Sequence, residues 1–597
     1  MSQALNERLA TTDCLWRLED LYHDSADPAI PRDIEWCLGE AAAIRAQWAG
    51  RLDGLSGPTL AGLVARLEAL AVRLGRLSSF ASLRFAVAAK DQAVAAFLQR
   101  IREKASEVSR ELVFFELEWA RLDDERAAAL LADPATAGCR HHLANLRRYR
   151  SHLLSEAEEG ILLAKAPVGR GAWTTLFEKV LGHLVFGPQG RTEEEVLADL
   201  YHPERPKRAA AADELTAGLK GQLHILTHIF NTLLADKMLD DRLRRYPTWL
   251  ASMNLDNELS DRTVEVLVTA VQSRFDIPER YYRAKASLLG LPELCDFDRY
   301  APLPHLPTVE VPWPEARAMV LEAFQGFSPE MGALARRFFD EAWIHAPVLD
   351  GKRSGAFAHP AIPEVHPYIL VNYTGNLRDV STVAHELGHG VHQLLAHRQG
   401  YFQSQTPLVL AETASVFAEL LVFRAQLARL TAPRERLAFI AQKLESIFAT
   451  VFRQVAMHRF EARVHEARRA EGELTSEAIA SHWLATQEEM FRGSVTLRED
   501  YGIWWSYIPH FLHTPGYVYA YAFGELLVLA LYARYQAEGP AFVRRYLGLL
   551  AAGGSRSPYE LAGDFGIDLD DPAFWQGGLA IIEGMLAEME ALQAGLA

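Results

Sequence analysis

The sequence predicts a mainly α-helical fold with a small β-sheet beside one of its helices. Apolar residues recur at the helical period over roughly the first 180 residues, and again from about residue 200 onward. The best strand candidate is Tyr368–Tyr373, where β-branched and aromatic residues are concentrated. A helical pattern from Ser381 to His392 follows that candidate closely, so we expect strand and helix to be neighbours.

Turn-forming residues divide the helical pattern into segments. Arg51–Pro58 predicts a turn between two N-terminal helices, and Phe186–Gly190 has the composition of a short hairpin turn. Pro302–Pro314 is rich in proline and predicts an extended connection. We expect an N-terminal helical region at residues 1–185 and a second region at residues 186–597, the two forming one unit.

Composition narrows the class of protein. Of the 597 residues, 49% are hydrophobic and 23% are charged, as in a protein with a large core. The net charge of −16 argues against nucleic acid as a partner, and no stretch approaches the ~20 apolar residues of a membrane span. The N-terminus lacks an apolar secretion segment, and the four cysteines are far apart, so we expect a cytoplasmic protein with reduced thiols.

One short motif carries chemistry: His385-Glu386-Leu387-Gly388-His389, an HExxH pattern. Histidines four apart on a helix share one face, so both imidazoles can reach a single zinc ion. Glu386 then lies beside the metal, where it can take a proton from water. The alternative is that the motif occurs by chance on an ordinary amphipathic helix. A third metal ligand elsewhere in the sequence would argue against this alternative.

His392 is the first candidate for that ligand, and geometry excludes it. It lies seven residues after His385, which is about 10 Å along a straight helix. Ligand atoms on one zinc ion lie roughly 3–4 Å apart, because each bond is about 2 Å long. We expect His392 to line the site or to pack behind it.

Glu412 is the better candidate. Gly400 and Pro407 predict a break after the motif helix, and Glu412 follows on the next helix. Glu419 lies on the same face of that helix, where its carboxylate can accept a hydrogen bond from a ligand imidazole. The alternative is a pair of solvated charges, but the surrounding apolar residues favour burial: Val409, Leu410, Val416, Phe417, Leu420 and Leu421.

The segments His385–His392 and Ala411–Ser415 resemble oligoendopeptidase F of the thimet oligopeptidase family of zinc metallopeptidases. The resemblance extends to Gly355–Ala358, to His366–Tyr373 and to His510–Tyr521. It implies a bowl-shaped, mainly α, zincin-type metallopeptidase with a deep channel. It also implies one zinc ion per chain, held by His385, His389 and Glu412.

The resemblance also implies roles for three residues near the C-terminus. Tyr521 aligns with the tyrosine that stabilises the transition state, and His510 and Tyr517 belong to a loop that contacts substrate. A tyrosine suits this role because its phenol stays protonated near neutral pH. The choice among Tyr517, Tyr519 and Tyr521 stays open, and Tyr519 is either a substrate contact or part of an aromatic core stripe.

Two further assignments depend on strand and helix environments. The resemblance implies that Gly355 and Ala356 belong to a strand edge that pairs with the substrate backbone. The alternative is that the neighbouring strand Tyr368–Tyr373 is simply buried.

Another set of polar residues comprises His458, Glu461 and His465. Nearby arginines favour a charged, partly solvated helix there over a second metal site.

Together these observations predict a zinc-dependent endopeptidase that cuts internal bonds of short, unfolded oligopeptides in peptide catabolism. Its expected partners are peptide substrates, without nucleic acid or membrane. Two alternatives stay open. One is another zinc hydrolase, such as an aminopeptidase, and the other is a peptide-binding protein without activity.

Overall fold

A computed structural model describes residues 2–166, 168–304 and 310–596 of the chain. Most of these residues are helical. The α-helices, in chain order, are α1 Ser2–Leu9, α2 Ala29–Trp48, α3 Gly57–Val87, α4 Gln92–Arg121, α5 Asp124–Ala132, α6 Arg140–Arg148, α7 Glu156–Lys165, α8 Arg170–His183, α9 Glu193–Asp199, α10 Arg205–Leu243, α11 Ala251–Asp256, α12 Asp261–Ser273, α13 Asp276–Leu288, α14 Trp313–Phe327, α15 Pro329–Asp340, α16 Leu377–Ala396, α17 Leu408–Arg429, α18 Pro433–Thr450, α19 Phe452–Glu471, α20 Ser476–Phe491, α21 His510–His513, α22 Tyr519–Glu538, α23 Pro540–Ala552, α24 Pro558–Gly563 and α25 Pro572–Leu596.

Short 3₁₀ helices and strands complete the described elements. The 3₁₀ helices are Leu52–Gly54, Pro134–Cys139, Arg150–His152, Asp298–Tyr300, His397–Gln399 and Glu499–Tyr507. The strands are β1 Leu294–Cys295, β2 Ile344–His345, β3 Phe357–His359, β4 Tyr368–Leu370 and β5 Val495–Thr496. The predicted mainly helical class is therefore confirmed. Residues 305–309 of the predicted proline-rich connection lie outside the described residues.

The chain forms two compact units, each assembled from separate segments. The first contains the described residues of Met1–Ala157, Thr308–Gln426 and Arg534–Gly566. The second contains those of Glu158–Pro307, Leu427–Ala533 and Ile567–Ala597. The division predicted at residue 185 stays a prediction.

A three-stranded sheet in the first unit supports the motif helix. Its strand order is β2-β4-β3, with β4 parallel to β2 and antiparallel to β3. Helix α16 packs against both β3 and β4, which places the small sheet beside the motif helix as predicted. All three residues of β4 are buried, so this strand is the structural centre of the sheet. Both β2 and β3 are edge strands, and β3 pairs with β4 in the register Phe357 with Leu370 and His359 with Tyr368.

The second unit has its own core around α10 and α19. Buried residues from these helices pack together with the 3₁₀ helix Glu499–Tyr507, and Phe230 stacks on Trp505 with ring centroids 5.1 Å apart. At Phe186 the predicted hairpin is reduced to a single bridge with Arg191. None of the helices in the described residues is both long and apolar enough to span a membrane.

The interpretation of His458, Glu461 and His465 as a partly solvated set is wrong. Their exposed fractions are 7%, 0% and 2%. The three residues are spaced as one buried stripe of α19, and Trp249 stacks on His465 at 4.6 Å. The neighbouring arginines do stay near solvent, where Arg459 and Arg463 both pair with Glu489.

Candidate active site

Helix α16 begins with a reciprocal cap that fixes its first turn. The side chain of Asn376 accepts a hydrogen bond from the Asp379 amide at 2.9 Å, and the Asp379 carboxylate accepts one from the Asn376 amide at 3.4 Å. Val383, Leu387 and Val391 are buried on the opposite side of the helix from the imidazoles. This face anchors the helix, so that His385 and His389 point the other way.

A close approach between α16 and α17 brings the third candidate ligand to the histidines. A Cβ atom on Gly388 would lie 2.6 Å from the Ala414 carbonyl oxygen and 2.6 Å from Cα of Ser415. Such contacts are too short for any side chain, so only glycine lets the two helix backbones come this close. Glu412, near the start of α17, therefore faces the imidazoles.

The structure brings together the three predicted ligands. Oε2 of Glu412 lies 3.3 Å from Nε2 of His385 and 3.5 Å from Nε2 of His389. One ligand atom from each residue lies within 4.8 Å of the others, and this is the single such group found in the described part of the chain. Two imidazoles and a carboxylate are donors that zinc prefers, so the set fits this metal.

Neighbouring groups hold each ligand in place. The Glu419 carboxylate lies 3.4 Å from Nδ1 of His385, and the Ser415 hydroxyl donates to Oε2 of Glu412 at 2.7 Å. His389 makes a hydrogen bond to the Ala411 backbone carbonyl. Glu419 thus lies where the sequence predicted it, whereas Ser415 was not predicted.

The surroundings of the two histidines act in opposite directions on their pKa values. Burial lowers the pKa of His385, but the hydrogen bond to Glu419 and the charge of Glu412 outweigh it and raise the pKa to about 9. Burial lowers the pKa of His389 to about 4, against the opposing charge of Glu412. A metal ion bound by His385 would therefore compete with a proton.

Glu386 is buried, with 7% of its surface exposed. Burial raises the pKa of its carboxyl to about 7, while the charge of His385 and a hydrogen bond from the Ala358 backbone amide oppose the rise. Ala358 belongs to the edge strand β3. A pKa near neutrality is what a general base needs in order to accept a proton and later return it.

His392 stays outside the ligand group, as predicted. It is buried, and burial lowers its pKa to about 3.

The residues predicted to form the substrate-binding strand edge lie directly before β3. Gly355 has φ +79°, and its carbonyl accepts a hydrogen bond from the Asn372 side chain at 2.9 Å. Ala356 is partly exposed and directly precedes the strand.

The predicted C-terminal residues lie in the second unit and form a cluster of their own. Nε2 of His510 lies 3.2 Å from the Tyr521 hydroxyl, and the rings of Tyr517 and Tyr521 are 5.0 Å apart. Tyr519 differs from these, because it is fully buried and its hydroxyl accepts a hydrogen bond from Asn257 at 3.0 Å. This placement favours the core interpretation of Tyr519.

Comparison with known proteins gives two family matches along the chain. The model of peptidase family M3 matches residues 330–581, which include the motif, Glu412 and the His510–Tyr521 segment. A second model, described as oligopeptidase F, matches residues 118–186. The chain therefore resembles peptidase family M3 over residues 330–581, as the sequence predicted. The predicted enzyme class, a metalloendopeptidase, is therefore confirmed.

Relatives and solved structures agree with this family. Oligopeptidase PepF of Bacillus subtilis is 26% identical over 594 residues, covering 97% of this chain and 87% of the relative. The plasmid-borne oligoendopeptidase F of Lactococcus lactis subsp. cremoris is 26% identical over 462 residues, covering 76% of each chain. The crystal structure of oligoendopeptidase F from Enterococcus faecium has the same fold, with a TM-score of 0.73 over 94% of this chain and 98% of that one at 22% identity.

Proposed function

We propose that this protein is a zinc-dependent endopeptidase that hydrolyses internal bonds of short, unfolded oligopeptides. The observation that carries the proposal is the convergence of His385, His389 and Glu412, with Glu386 next to them on α16. Zinc bound by these three residues would polarise the substrate carbonyl as a Lewis acid and make a water molecule easier to deprotonate.

Glu386 is the proposed general base. Its carboxylate accepts a proton from the attacking water and then delivers that proton to the leaving amine. The pKa of about 7, which burial of the carboxyl produces, suits both transfers near neutral pH. The Ala358 amide keeps the carboxylate oriented between the helix and the edge strand.

The edge strand supports a role in substrate alignment. Among the described strands, β3 pairs with β4 on one side only, and an extended peptide can add to such an edge strand. Gly355 and Ala356 lead directly into this strand. We assign them to contacts with the substrate backbone.

The roles of His510, Tyr517 and Tyr521 rest on the family resemblance. A phenol that stays protonated can donate a hydrogen bond to the oxyanion that forms when water attacks the carbonyl. Tyr521 is the proposed donor, and its hydroxyl already has a hydrogen-bonding neighbour in His510. The preference for short peptides rests on relatives named oligopeptidase and oligoendopeptidase, and a cytoplasmic location is part of the same proposal.

The first experiment tests the metal. The purified chain should hold one zinc ion by elemental analysis, and His389→Ala should lose it because two remaining ligands bind zinc poorly. Full zinc occupancy in His389→Ala would refute the ligand set. Added zinc should restore hydrolysis to the chelated wild type, which separates an enzyme from an inactive peptide-binding protein.

The second experiment tests the substrate class. Peptides blocked at both ends, in a ladder of increasing length, should be cut at internal bonds. A stable folded protein that carries the same sequence in a loop should resist. A requirement for a free amino terminus would instead identify an aminopeptidase, and efficient cutting of the folded protein would exclude an enzyme restricted to short, unfolded oligopeptides.

A further inference from the structure

Two arginines of the second unit share one aromatic cluster. Arg299, in the 3₁₀ helix Asp298–Tyr300, is 4% exposed, and its guanidinium lies 4.5 Å from the ring centre of Tyr300 and 4.9 Å from that of Tyr501. Its Nη1 donates to the Tyr501 hydroxyl at 2.8 Å. Arg453, at the start of α19, is the second arginine. Burial raises the pKa of the Tyr300 hydroxyl, but the charges of Arg299 and Arg453 outweigh it and lower the pKa.

The charge of this pair is not balanced within the described residues. Neither Arg299 nor Arg453 forms an ion pair with a described carboxylate, and the charge of Arg299 acts unfavourably on Arg453. Carboxylates on adjoining elements already have other partners. Asp298 pairs with Arg205 and Arg208, and Glu445 pairs with Lys285.

Donor atoms of the two guanidiniums also lack acceptors. Nε and Nη2 of Arg299 and Nε of Arg453 are buried without a hydrogen-bond partner among the described residues. A buried donor without an acceptor costs free energy, and a buried charge without a counter-charge costs more. Contact with two aromatic faces offsets part of this cost for Arg299 but supplies no negative charge.

Two members of the cluster keep some exposure to solvent. Arg453 and Tyr300 both remain partly exposed, and so does His510. Burial lowers the pKa of His510, and the charge of Arg453 lowers it further, so the field of this arginine extends to the His510–Tyr521 segment. That segment is the one to which the proposed function gives a role in substrate contact.

A carboxylate has the chemistry that the cluster lacks. It brings one negative charge and two oxygens that accept the parallel N–H groups of a guanidinium. A peptide substrate supplies a carboxylate at its C-terminus or on an acidic side chain. We propose that Arg299, Arg453 and Tyr300 form a carboxylate-binding subsite for the peptide substrate, an inference that rests on the proposed function.

Binding to a zinc-loaded Glu386→Gln protein tests the subsite without turnover. The probes are an N-acetylated peptide with a free C-terminal carboxylate, the same peptide as an amide, and a pair of amides that differ only in an internal Glu or Gln. At least one carboxylate form should bind about tenfold or more tightly than its neutral counterpart, by calorimetry. The two pairs of probes identify which carboxylate of the peptide is recognised.

Adding Arg453→Gln should remove this preference while changing the Kd of the neutral peptides by no more than about threefold. Arg262→Gln is the matched control, because it removes the same charge from an exposed position of the same unit and should keep the preference. Thermal melting and zinc content show that each variant is folded. A preference that survives Arg453→Gln would overturn the proposal.

The parent protein alone can also refute the subsite, so the result does not depend on whether Arg453→Gln folds. Equal binding of charged and neutral probes would show that no carboxylate is recognised. Chloride is added as a competitor for the cluster. If it weakens the binding of both probes of a pair equally, the cluster binds a small inorganic anion instead of a peptide carboxylate, and the proposal is overturned. Wild-type hydrolysis of the end-blocked amide is measured separately, and its absence would count against the proposed function instead.

Discussion

Oε2 of Glu419 lies 3.4 Å from Nδ1 of His385. The other ring nitrogen, Nε2, lies 3.3 Å from Glu412, so this imidazole has a carboxylate at each nitrogen. A carboxylate at Nδ1 accepts its proton and leaves the lone pair of Nε2 directed toward the ligand group. Glu419 therefore selects the form of His385 that can bind a metal, without being a ligand itself.

Replacing Glu419 tests this relationship. Glu419→Gln keeps the size of the side chain but removes the charge, so zinc affinity should fall about 10–100-fold. Competition with a chromophoric zinc chelator measures the change. Glu330→Gln, an exposed change in the same unit, is the control and should leave affinity unchanged. Wild-type affinity in Glu419→Gln would show that the Nδ1 contact does not tune the site.

Glu386→Gln separates metal binding from proton transfer. The amide cannot accept a proton from water, so turnover should fall by at least the ~10²–10⁴-fold typical of an acid–base residue. Zinc content and peptide affinity should stay near those of the wild type, because Glu386 is not in the ligand group. Near-normal turnover in the zinc-loaded variant would exclude Glu386 as the base.

Gly388→Ala tests the contact between α16 and α17. The added methyl group would lie 2.6 Å from the Ala414 carbonyl oxygen, so the helices must separate and Glu412 must move away from the histidines. We expect weaker zinc binding and a free energy of unfolding lowered by about 1–3 kcal/mol. Gly62→Ala in α3 meets nothing within 4 Å, so this control should be neutral or slightly stabilising. Equal behaviour of the two variants would contradict the argument.

The sequence could predict which faces carry the site, but not every contact within it. The helical period places His385 and His389 together and excludes His392, since seven residues span about 10 Å. The contact between Glu386 and the Ala358 amide depends on the register of β3 against β4. No local pattern encodes such a register, because it is set by the packing of the whole sheet.

Charge composition misled the interpretation of α19. Its arginines suggested a solvated helix, yet the stripe that contains Glu461 is buried beneath Trp249 and Tyr519. The spacing of three, then four, residues was itself the signal of a buried face. The burial of polar residues on such a stripe cannot be predicted from the local sequence, because the side chains that cover them come from distant parts of the chain.

Glu461 leads to a prediction on pH. Burial raises the pKa of its carboxyl to about 8, against a hydrogen bond from the Gly516 amide at 2.9 Å that lowers it. Between the ordinary value of 4.5 and this value, the folded chain holds a proton that the unfolded chain releases. The contribution of Glu461 to the free energy of unfolding therefore falls as pH rises through that window.

Glu461→Gln removes this pH dependence, because the amide cannot ionise and its oxygen can still accept from Gly516. The melting temperature of the variant relative to wild type should rise from pH 5 to pH 8 and show no gain at pH 4. Thermal melts at constant ionic strength measure the difference. A difference that does not change with pH would mean that the pKa of Glu461 is not raised in the folded protein.

The last prediction separates two tyrosines that the sequence could not distinguish. Tyr521→Phe removes one hydroxyl and little volume. If that hydroxyl stabilises only the oxyanion, kcat should fall about 10²–10³-fold while KM changes little, since the lost interaction exists mainly in the transition state. Tyr519→Phe should instead leave kcat near wild type and lower the free energy of unfolding by about 1 kcal/mol, because its hydroxyl is paired with Asn257 in the core. Steady-state kinetics on an end-blocked peptide, together with chemical denaturation, measures both effects. A large loss of kcat in Tyr519→Phe with little change in Tyr521→Phe would transfer the catalytic role to Tyr519.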